Sequence, residues 1–208
     1  MSVIPFQTPM TFLIIGRSRS GKSEFLKKLI LEADTMFQPP PSRILYCYSV
    51  WTDGYEELVD RVEFRKDIPT NEELTEWWRE NRKETLLVLD DFMHSINEEI
   101  SKLFCITSHH AHVSCAVTLQ NLFHPNQYLR EMSLNTDCFC LFNNPRSVVQ
   151  IKILASQIFP GKTDYLMDSY YKAVEKPYGY LIVHLGHTHT LRTCIFSHED
   201  TVVYLPKK

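Results

Sequence analysis

The chain has 208 residues, of which 44% are hydrophobic and 12% aromatic, and its formal net charge is -3. This length and apolar content suffice for one substantial core but are short for two, so we expect a single domain over residues 1–208. The negative charge excludes a general electrostatic attraction to nucleic acid. Contact with DNA or RNA would require a local basic patch or an assembled ring.

The six cysteines form no CxxC pair, and most of them fall in predicted strands as small apolar residues. This usage is typical of a reduced, intracellular protein. The N-terminus lacks the basic flank and long apolar stretch of a signal peptide, and no apolar run reaches the roughly 18 residues of a membrane helix. The sequence therefore predicts neither secretion nor a membrane span.

The first element is an apolar run, Thr11-Phe-Leu-Ile-Ile15, that predicts a buried strand. A full GxxxxGK[ST] motif follows it directly, and we expect a helix over about 23–34 after the motif. In such a loop the glycines let backbone N–H groups turn inward around an anion, and the helix N-terminus adds partial positive charge. The predicted nucleotide-binding residues are Gly16, Arg17, Ser18, Arg19, Ser20, Gly21, Lys22 and Ser23.

Within this loop, Lys22 is predicted to neutralise the β- and γ-phosphates of the nucleotide, and the Ser23 hydroxyl to bind Mg²⁺. Arg17 and Arg19 place bulky cations in the same loop. Two interpretations stay open for them: they add charge at the phosphates, or they point into solvent.

Strands and helices alternate along the rest of the chain. We predict strands at 43–51, 62–64, 86–90, 113–120, 137–142, 178–185 and 191–197. We predict helices at 53–60, 71–80 with Asn71 as the N-cap, 97–108, 147–159 and 163–175. This alternation predicts an α/β fold with a mostly parallel sheet flanked by helices and a C-terminal β-hairpin.

An acidic pair, Asp90-Asp91, ends the apolar run Leu86-Leu-Val-Leu89. A carboxylate is thereby placed at the C-terminal tip of a buried strand, at the edge where open α/β sheets bind their ligands. Asp90 is predicted to hold Mg²⁺, directly or through water, and Asp91 to orient a water for in-line attack on the γ-phosphate. The alternative is that the pair forms a turn or helix cap after a core strand.

Gln120 closes the predicted strand 113–120, beside the strand that carries Asp90. Its amide is suited to bond the γ-phosphate or the attacking water and to report phosphate loss. A strand-end amide that satisfies loop backbone is the alternative.

Taken in order, these segments resemble the FtsK/HerA-type packaging ATPases of double-stranded DNA viruses, including poxvirus-type and adintovirus-like ones, and of Polinton or Maverick elements. The resemblance covers nearly the whole chain. It is carried by 16–23, 46–49, 87–92, 108–110, 118–124, 133–135, 141–146, 177–180 and 191–196. It implies a RecA-like P-loop NTPase of the ASCE type that assembles as a homo-oligomeric ring and uses ATP and Mg²⁺ to move double-stranded DNA into a preformed capsid.

The resemblance also implies capsid or portal vertex proteins as docking partners, no membrane partner, and a location in the host nucleus, at the virus assembly site or in the virion. Two positions depart from the family. Ala111-His112 stands where similar proteins carry Arg-Asn, and Arg19 occupies a position that is more often small. Arg146 is our first candidate for the missing catalytic arginine and Arg130 the second, with ordinary surface arginines as the alternative for both.

Three other interpretations stay open. Zinc could bind the histidines at 184, 187 and 189 or those at 109, 110 and 112, although no cysteine falls at a ligand-like spacing. A small nucleotide or nucleoside kinase would have this size and loop but needs an arginine-rich lid, and the sequence contains no arginine cluster. The third is a nucleotide-gated scaffold with little turnover. Arg146, Lys152, Lys162 and Lys172 are candidates for a local basic surface, with solvated helix faces as the alternative.

Overall fold

The computed structural model describes residues 4–51, 53–186 and 190–206. The strands are β1 (Phe6–Gln7), β2 (Thr11–Ile15), β3 (Phe37–Gln38), β4 (Arg43–Tyr48), β5 (Glu63–Arg65), β6 (Thr85–Asp90), β7 (Val113–Leu119), β8 (Cys138–Phe142), β9 (Tyr180–His184), β10 (Thr190–Thr193) and β11 (Val202–Tyr204). The helices are α1 (Lys22–Leu31), α2 (Ala33–Met36), α3 (Asn71–Asn81), α4 (Glu98–Lys102), α5 (Ser108–His110), α6 (Gln127–Leu134), α7 (Val148–Ile158) and α8 (Thr163–Ala173).

Among the described residues, nine strands form one sheet in the order β11-β10-β9-β8-β2-β7-β6-β4-β5. The six strands from β8 to β5 pair in parallel, whereas β9, β10 and β11 each pair antiparallel with their neighbours. Strand β7 therefore lies between β2, which precedes the phosphate loop, and β6, which carries the acidic pair. The predicted mostly parallel sheet and C-terminal hairpin are confirmed.

Alternate side chains of the central strands supply two separate cores, one on each face of the sheet. In β2, Leu13 and Ile15 face one core while Phe12 and Ile14 face the other. Helices α1 and α2 cover the second core together with the small β1–β3 sheet, and the later helices cover the first. Because both faces are buried, the strands read as continuous apolar runs, as expected for a parallel sheet.

Some local boundaries were predicted wrongly. Thr70, not Asn71, is the N-cap of α3, since its hydroxyl accepts the Glu73 N–H at 3.1 Å. Asn71 is buried instead and donates to Glu99. Helix α1 ends at Leu31, and the segment predicted as a helix at 53–60 forms only a 3₁₀ turn, Tyr55–Leu58.

Four elements were not predicted: β1, β3, β11 and α6. The two-residue strands β1 and β3 are too short to leave a periodic pattern. Helix α6 does carry a start signal, because the Asn126 side chain accepts the N–H groups of Tyr128 and Leu129. No helix among the described residues is long and apolar enough to cross a membrane.

Candidate active site

The phosphate loop connects the end of β2 to the start of α1 and is fixed at its first residue. The Gly16 N–H donates to the Leu119 carbonyl at 3.0 Å, which ties the loop to the end of β7. A Cβ on Gly16 would lie 2.5 Å from Ser20 Oγ and 2.6 Å from Phe142 Cβ. Only glycine fits this position, because any side chain would displace these neighbours.

Two further loop residues have left-handed backbone. Gly21, directly before α1, has φ 106°, and Arg19 has φ 62°. Glycine adopts this conformation without a steric cost, whereas arginine does so less readily. The backbone thus explains why a small residue would suit position 19. The side chains of Arg17 and Arg19 are both exposed.

Lys22 lies over the loop that precedes it. Its Nζ donates to the carbonyl oxygens of Gly16 at 2.6 Å and Arg17 at 3.0 Å. Burial lowers the pKa of this amine, and the charges of Asp90 and Asp91 oppose that shift. Lys22 therefore interacts electrostatically with both carboxylates of the acidic pair.

Asp90 is a buried carboxylate surrounded by hydroxyl donors. Its Oδ2 accepts the hydroxyls of Tyr46 at 2.7 Å and Tyr55 at 3.0 Å, and its Oδ1 accepts the Thr118 hydroxyl at 2.8 Å. A carboxylate has about four acceptor sites, so one site on Oδ1 is left for a metal or its bound water. Burial and the adjacent charge raise the pKa of Tyr46 far above its ordinary value, so this tyrosine remains a donor.

Asp91 follows β6 and is exposed, with φ 63°. Aspartate is one of the few residues with a side chain that visits this left-handed region often. Its N–H donates to Thr118 Oγ1 at 2.9 Å, so Thr118 contacts both members of the acidic pair. The turn after Asp90 separates the two carboxylates, so that Asp90 is buried and Asp91 faces solvent.

A cavity of about 500 Å³ lies beside the phosphate loop, at the ends of β7 and β8. It is lined by Arg17, Ser18, Gln120, Asn121, Asn144, Pro145 and Arg146. The Asn144 side chain donates to the Gln120 carbonyl at 3.2 Å, which links the segment after β8 to the end of β7. The structure thus brings the predicted residues Gln120 and Arg146 together with the loop.

The other candidate residues lie elsewhere or do not form the sites considered. Arg130 is exposed on α6 and does not line this cavity. Asp164 and Asp168 line the same cavity as Lys162 and Lys172, so the surface there is of mixed charge rather than uniformly basic.

The histidines form no metal centre in the part of the chain that the structure describes. No group of three or more His, Cys, Asp or Glu side chains there could hold a metal ion. His112 stacks on Trp78 at 3.9 Å and contacts Glu84, while His187 and His189 lie outside the described residues.

The residues present fit a nucleoside triphosphate and its magnesium ion. Neighbouring side chains leave no room for a side chain on Gly16, the Lys22 ammonium group lies over the loop, and an acceptor site remains on Asp90. The buried Ser20 Oγ has no hydrogen-bond partner among the described residues, which leaves a donor free for an anion. Ser23, in the first turn of α1, is exposed at the same end of the helix.

Sequence reasoning missed the three hydroxyls that hold Asp90. Thr118 had a usable signal, since the parallel register that pairs Leu89 with Val117 places Asp90 and Thr118 side by side. Tyr46 is in β4, on the other side of β6, and Tyr55 is in the 3₁₀ turn. Nothing in the sequence of these two tyrosines points to the acidic pair.

Comparison of the chain with models of protein families and with curated proteins gives no match. Among solved structures, the chain is similar to the genome packaging NTPase B204 from Sulfolobus turreted icosahedral virus 2 in complex with ATP-gammaS, with 14% identity and a TM-score of 0.55, over 96% of this chain and 98% of that one. It is also similar to B204, the DNA-packaging ATPase from Sulfolobus turreted icosahedral virus, with 16% identity and a TM-score of 0.53, over 100% of both chains. The chain therefore has the fold of these ATPases, a mostly parallel α/β sheet with a phosphate loop at its ligand-binding edge.

Proposed function

We propose that this protein is a Mg²⁺-dependent ATPase that couples hydrolysis to the movement of double-stranded DNA into a viral capsid. The observation that carries the proposal is the convergence of the phosphate loop, the acidic pair and the Gln120–Arg146 cavity at one edge of the sheet. The fold shared with B204 over the whole chain supports the packaging role.

The residues have distinct tasks in this proposal. Lys22 leaves the carbonyls of Gly16 and Arg17 and neutralises the β- and γ-phosphates. Ser23 and Asp90 would hold Mg²⁺, which supplies further neutralisation of phosphate charge. Asp91 accepts a proton from the attacking water and orients it, and Gln120 bonds that water or the γ-phosphate.

Arg146 is proposed as the arginine that stabilises the transition state, because it is exposed at the cavity that also contains Gln120. In a ring it could act on the nucleotide of its own subunit or of a neighbour. Mixing Lys22→Ala and Arg146→Ala subunits, each inactive alone, distinguishes these cases. Restored hydrolysis in the mixture indicates action on the neighbour, whereas Arg146→Ala with unchanged activity would exclude this role.

The main test is the rate of phosphate release with and without duplex DNA, run beside a measurement of assembly state. We expect Lys22→Ala to abolish nucleotide binding and Asp91→Asn to retain it while slowing hydrolysis about 100-fold or more. Asp60→Asn, an exposed carboxylate in a turn after the Tyr55–Leu58 segment, is the matched control. An unchanged rate in Asp91→Asn, with nucleotide binding lost in Lys22→Ala, would refute the role of Asp91. Nucleotide binding with hardly any phosphate release in the unmodified protein would favour the scaffold. A monomer indifferent to DNA would refute the motor, and phosphorylated product from an added nucleoside acceptor would identify a kinase.

A further inference from the structure

A second cavity, of about 390 Å³, also borders the phosphate loop. Its lining is Arg17, Arg19, Ser20, Asn143, Val174, Glu175, Lys176, Pro177 and Tyr178. It shares only Arg17 with the cavity that contains Gln120. The first cavity is lined from the ends of β7 and β8, whereas the second is lined from the end of β8 and the turn before β9, so the second lies farther from β7.

Tyr178 stands at the junction of this second cavity with the phosphate loop. A Cβ built on Gly21 would lie 3.2 Å from Tyr178 Cβ and 3.3 Å from its Cδ1, so the tyrosine packs directly on the loop at the start of α1. Its side chain is nevertheless 72% exposed. A large aromatic ring is thus presented to solvent next to the helix N-terminus that receives phosphate.

The backbone holds Tyr178 in this position. Its φ is 62°, in the left-handed region that tyrosine rarely adopts. The following Gly179 donates its N–H to Lys176 at 3.0 Å, and a Cβ there would lie 2.2 Å from the Ala173 carbonyl. The turn between α8 and β9 therefore fixes the backbone that carries the ring, and strained backbone of this kind is concentrated at functional sites.

The sheet order decides which end of a nucleotide faces this ring. Asp90, Asp91 and Gln120 all lie at the ends of β6 and β7, on one side of β2. In the proposed function, on which this inference rests, these residues act on the terminal phosphate. The terminal phosphate therefore has to face them. The nucleoside then extends away from β6 and β7, past the end of β8, toward β9 and the turn that carries Tyr178.

We propose that Tyr178 is the platform on which the nucleotide base stacks, and that the cavity beside it is the nucleoside subsite. Bases of all kinds stack on aromatic rings, because each base has a π-face, so this contact adds affinity without choosing a base. Lys176 and Asn143, in the same cavity, offer polar groups to the ribose or the base edge. The subsite thus takes the nucleoside part of a nucleoside triphosphate.

The test compares ATP with inorganic tripolyphosphate, which lacks base and ribose, by calorimetric titration in the presence of Mg²⁺. We expect Tyr178→Ala to weaken ATP binding about tenfold and to leave tripolyphosphate binding unchanged. Tyr178→Phe keeps the ring and should bind ATP like the unmodified protein. Tyr178→Asn removes the ring but tolerates left-handed backbone, and should behave like the alanine variant.

Tyr171→Ala is the matched control, since Tyr171 is a 53% exposed tyrosine on α8 that does not line the cavity. The proposal is wrong if Tyr178→Ala binds ATP normally, or if it loses ATP and tripolyphosphate to the same extent, which would indicate a structural role beside Gly21. Failure of the proposed function gives a different result. In that case the unmodified protein binds neither ligand.

Discussion

Two buried charges, Asp90 and Arg192, lie on the same sheet but are held very differently. Asp90 is 8% exposed and accepts hydrogen bonds from three hydroxyls. Arg192 is 2% exposed and donates to one group, the Ile4 carbonyl at 2.9 Å, while its guanidinium lies 4.6 Å from the centre of the Phe6 ring. Within the described residues, Nε and Nη2 of Arg192 have no hydrogen-bond partner.

The two side chains differ in the number of hydrogen-bond partners and in their place on the sheet. Asp90 lies at the end of β6, and its three donors hold the carboxylate in place and leave one acceptor site on Oδ1. Arg192 lies in β10, away from that strand end, and burial lowers its pKa. A buried charge with few partners costs more free energy than it returns, so Arg192 is expected to add little to stability.

The largest expected effect concerns the donors of Asp90. Tyr46→Phe removes a hydroxyl from a buried carboxylate, and hydrogen bonds to charged groups are worth about 2 kcal/mol, so the free energy of unfolding should fall by about that amount. Chemical denaturation measures it. Tyr48→Phe, in the same strand and the same aromatic cluster, is the control and should change stability little. Equal stabilities of the two variants would contradict the importance of the Asp90 donors.

The next effect tests whether a nearby thiol neutralises Arg192. Burial raises the pKa of Cys138 from 9.0 to about 12, and Arg192 opposes this shift. Because the folded value is raised, the thiol contributes stability that is complete below pH 9.0 and is lost as the pH rises toward 12.

The expected loss is about 1.4 kcal/mol per pH unit for this one thiol. Denaturation between pH 8 and 11 should therefore show a slope that Cys138→Ala reduces by that amount. An unchanged slope would mean that Cys138 is already ionised in the folded protein and serves as the counter-ion of Arg192.

The smallest effect is the replacement of Arg192 itself. Arg192→Met keeps an unbranched chain beside Phe6 and removes the buried charge, so we expect the free energy of unfolding to rise by about 1 kcal/mol. Arg192→Ala, which also loses the packing of the stem, should lower it. A methionine variant that is less stable than the unmodified protein would show that Arg192 has a strong partner. It would then contradict the stated difference between Arg192 and Asp90.

The parts of this architecture that depend on short stretches of chain could be predicted from sequence. The order of β2, phosphate loop and α1 follows from one motif, and the position of Asp90 at a strand end follows from the apolar run before it. The neighbouring position of β7 and β6 was also expected and is confirmed. These features depend on hydrophobic periodicity and on motif chemistry.

Features that depend on contacts between segments far apart in the chain could not be predicted from the sequence. Tyr46 and Tyr55 meet Asp90 only because β4 pairs with β6 and the 3₁₀ turn folds back over both. Arg192 is buried by Ile4 and Phe6, from the opposite end of the chain. The left-handed turn at Tyr178 has no signal of its own beyond the following glycine.

The aromatic cluster around Asp90 has an optical consequence. Trp51 is 44% exposed, and its ring lies 5.3 Å from that of Tyr55, whose hydroxyl donates to Asp90. The two other tryptophans, Trp77 and Trp78, lie on α3. With those two replaced by phenylalanine, the fluorescence emission of Trp51 becomes a built-in reporter of the surroundings of Asp90, so that changes at this carboxylate can be followed in real time without an attached dye.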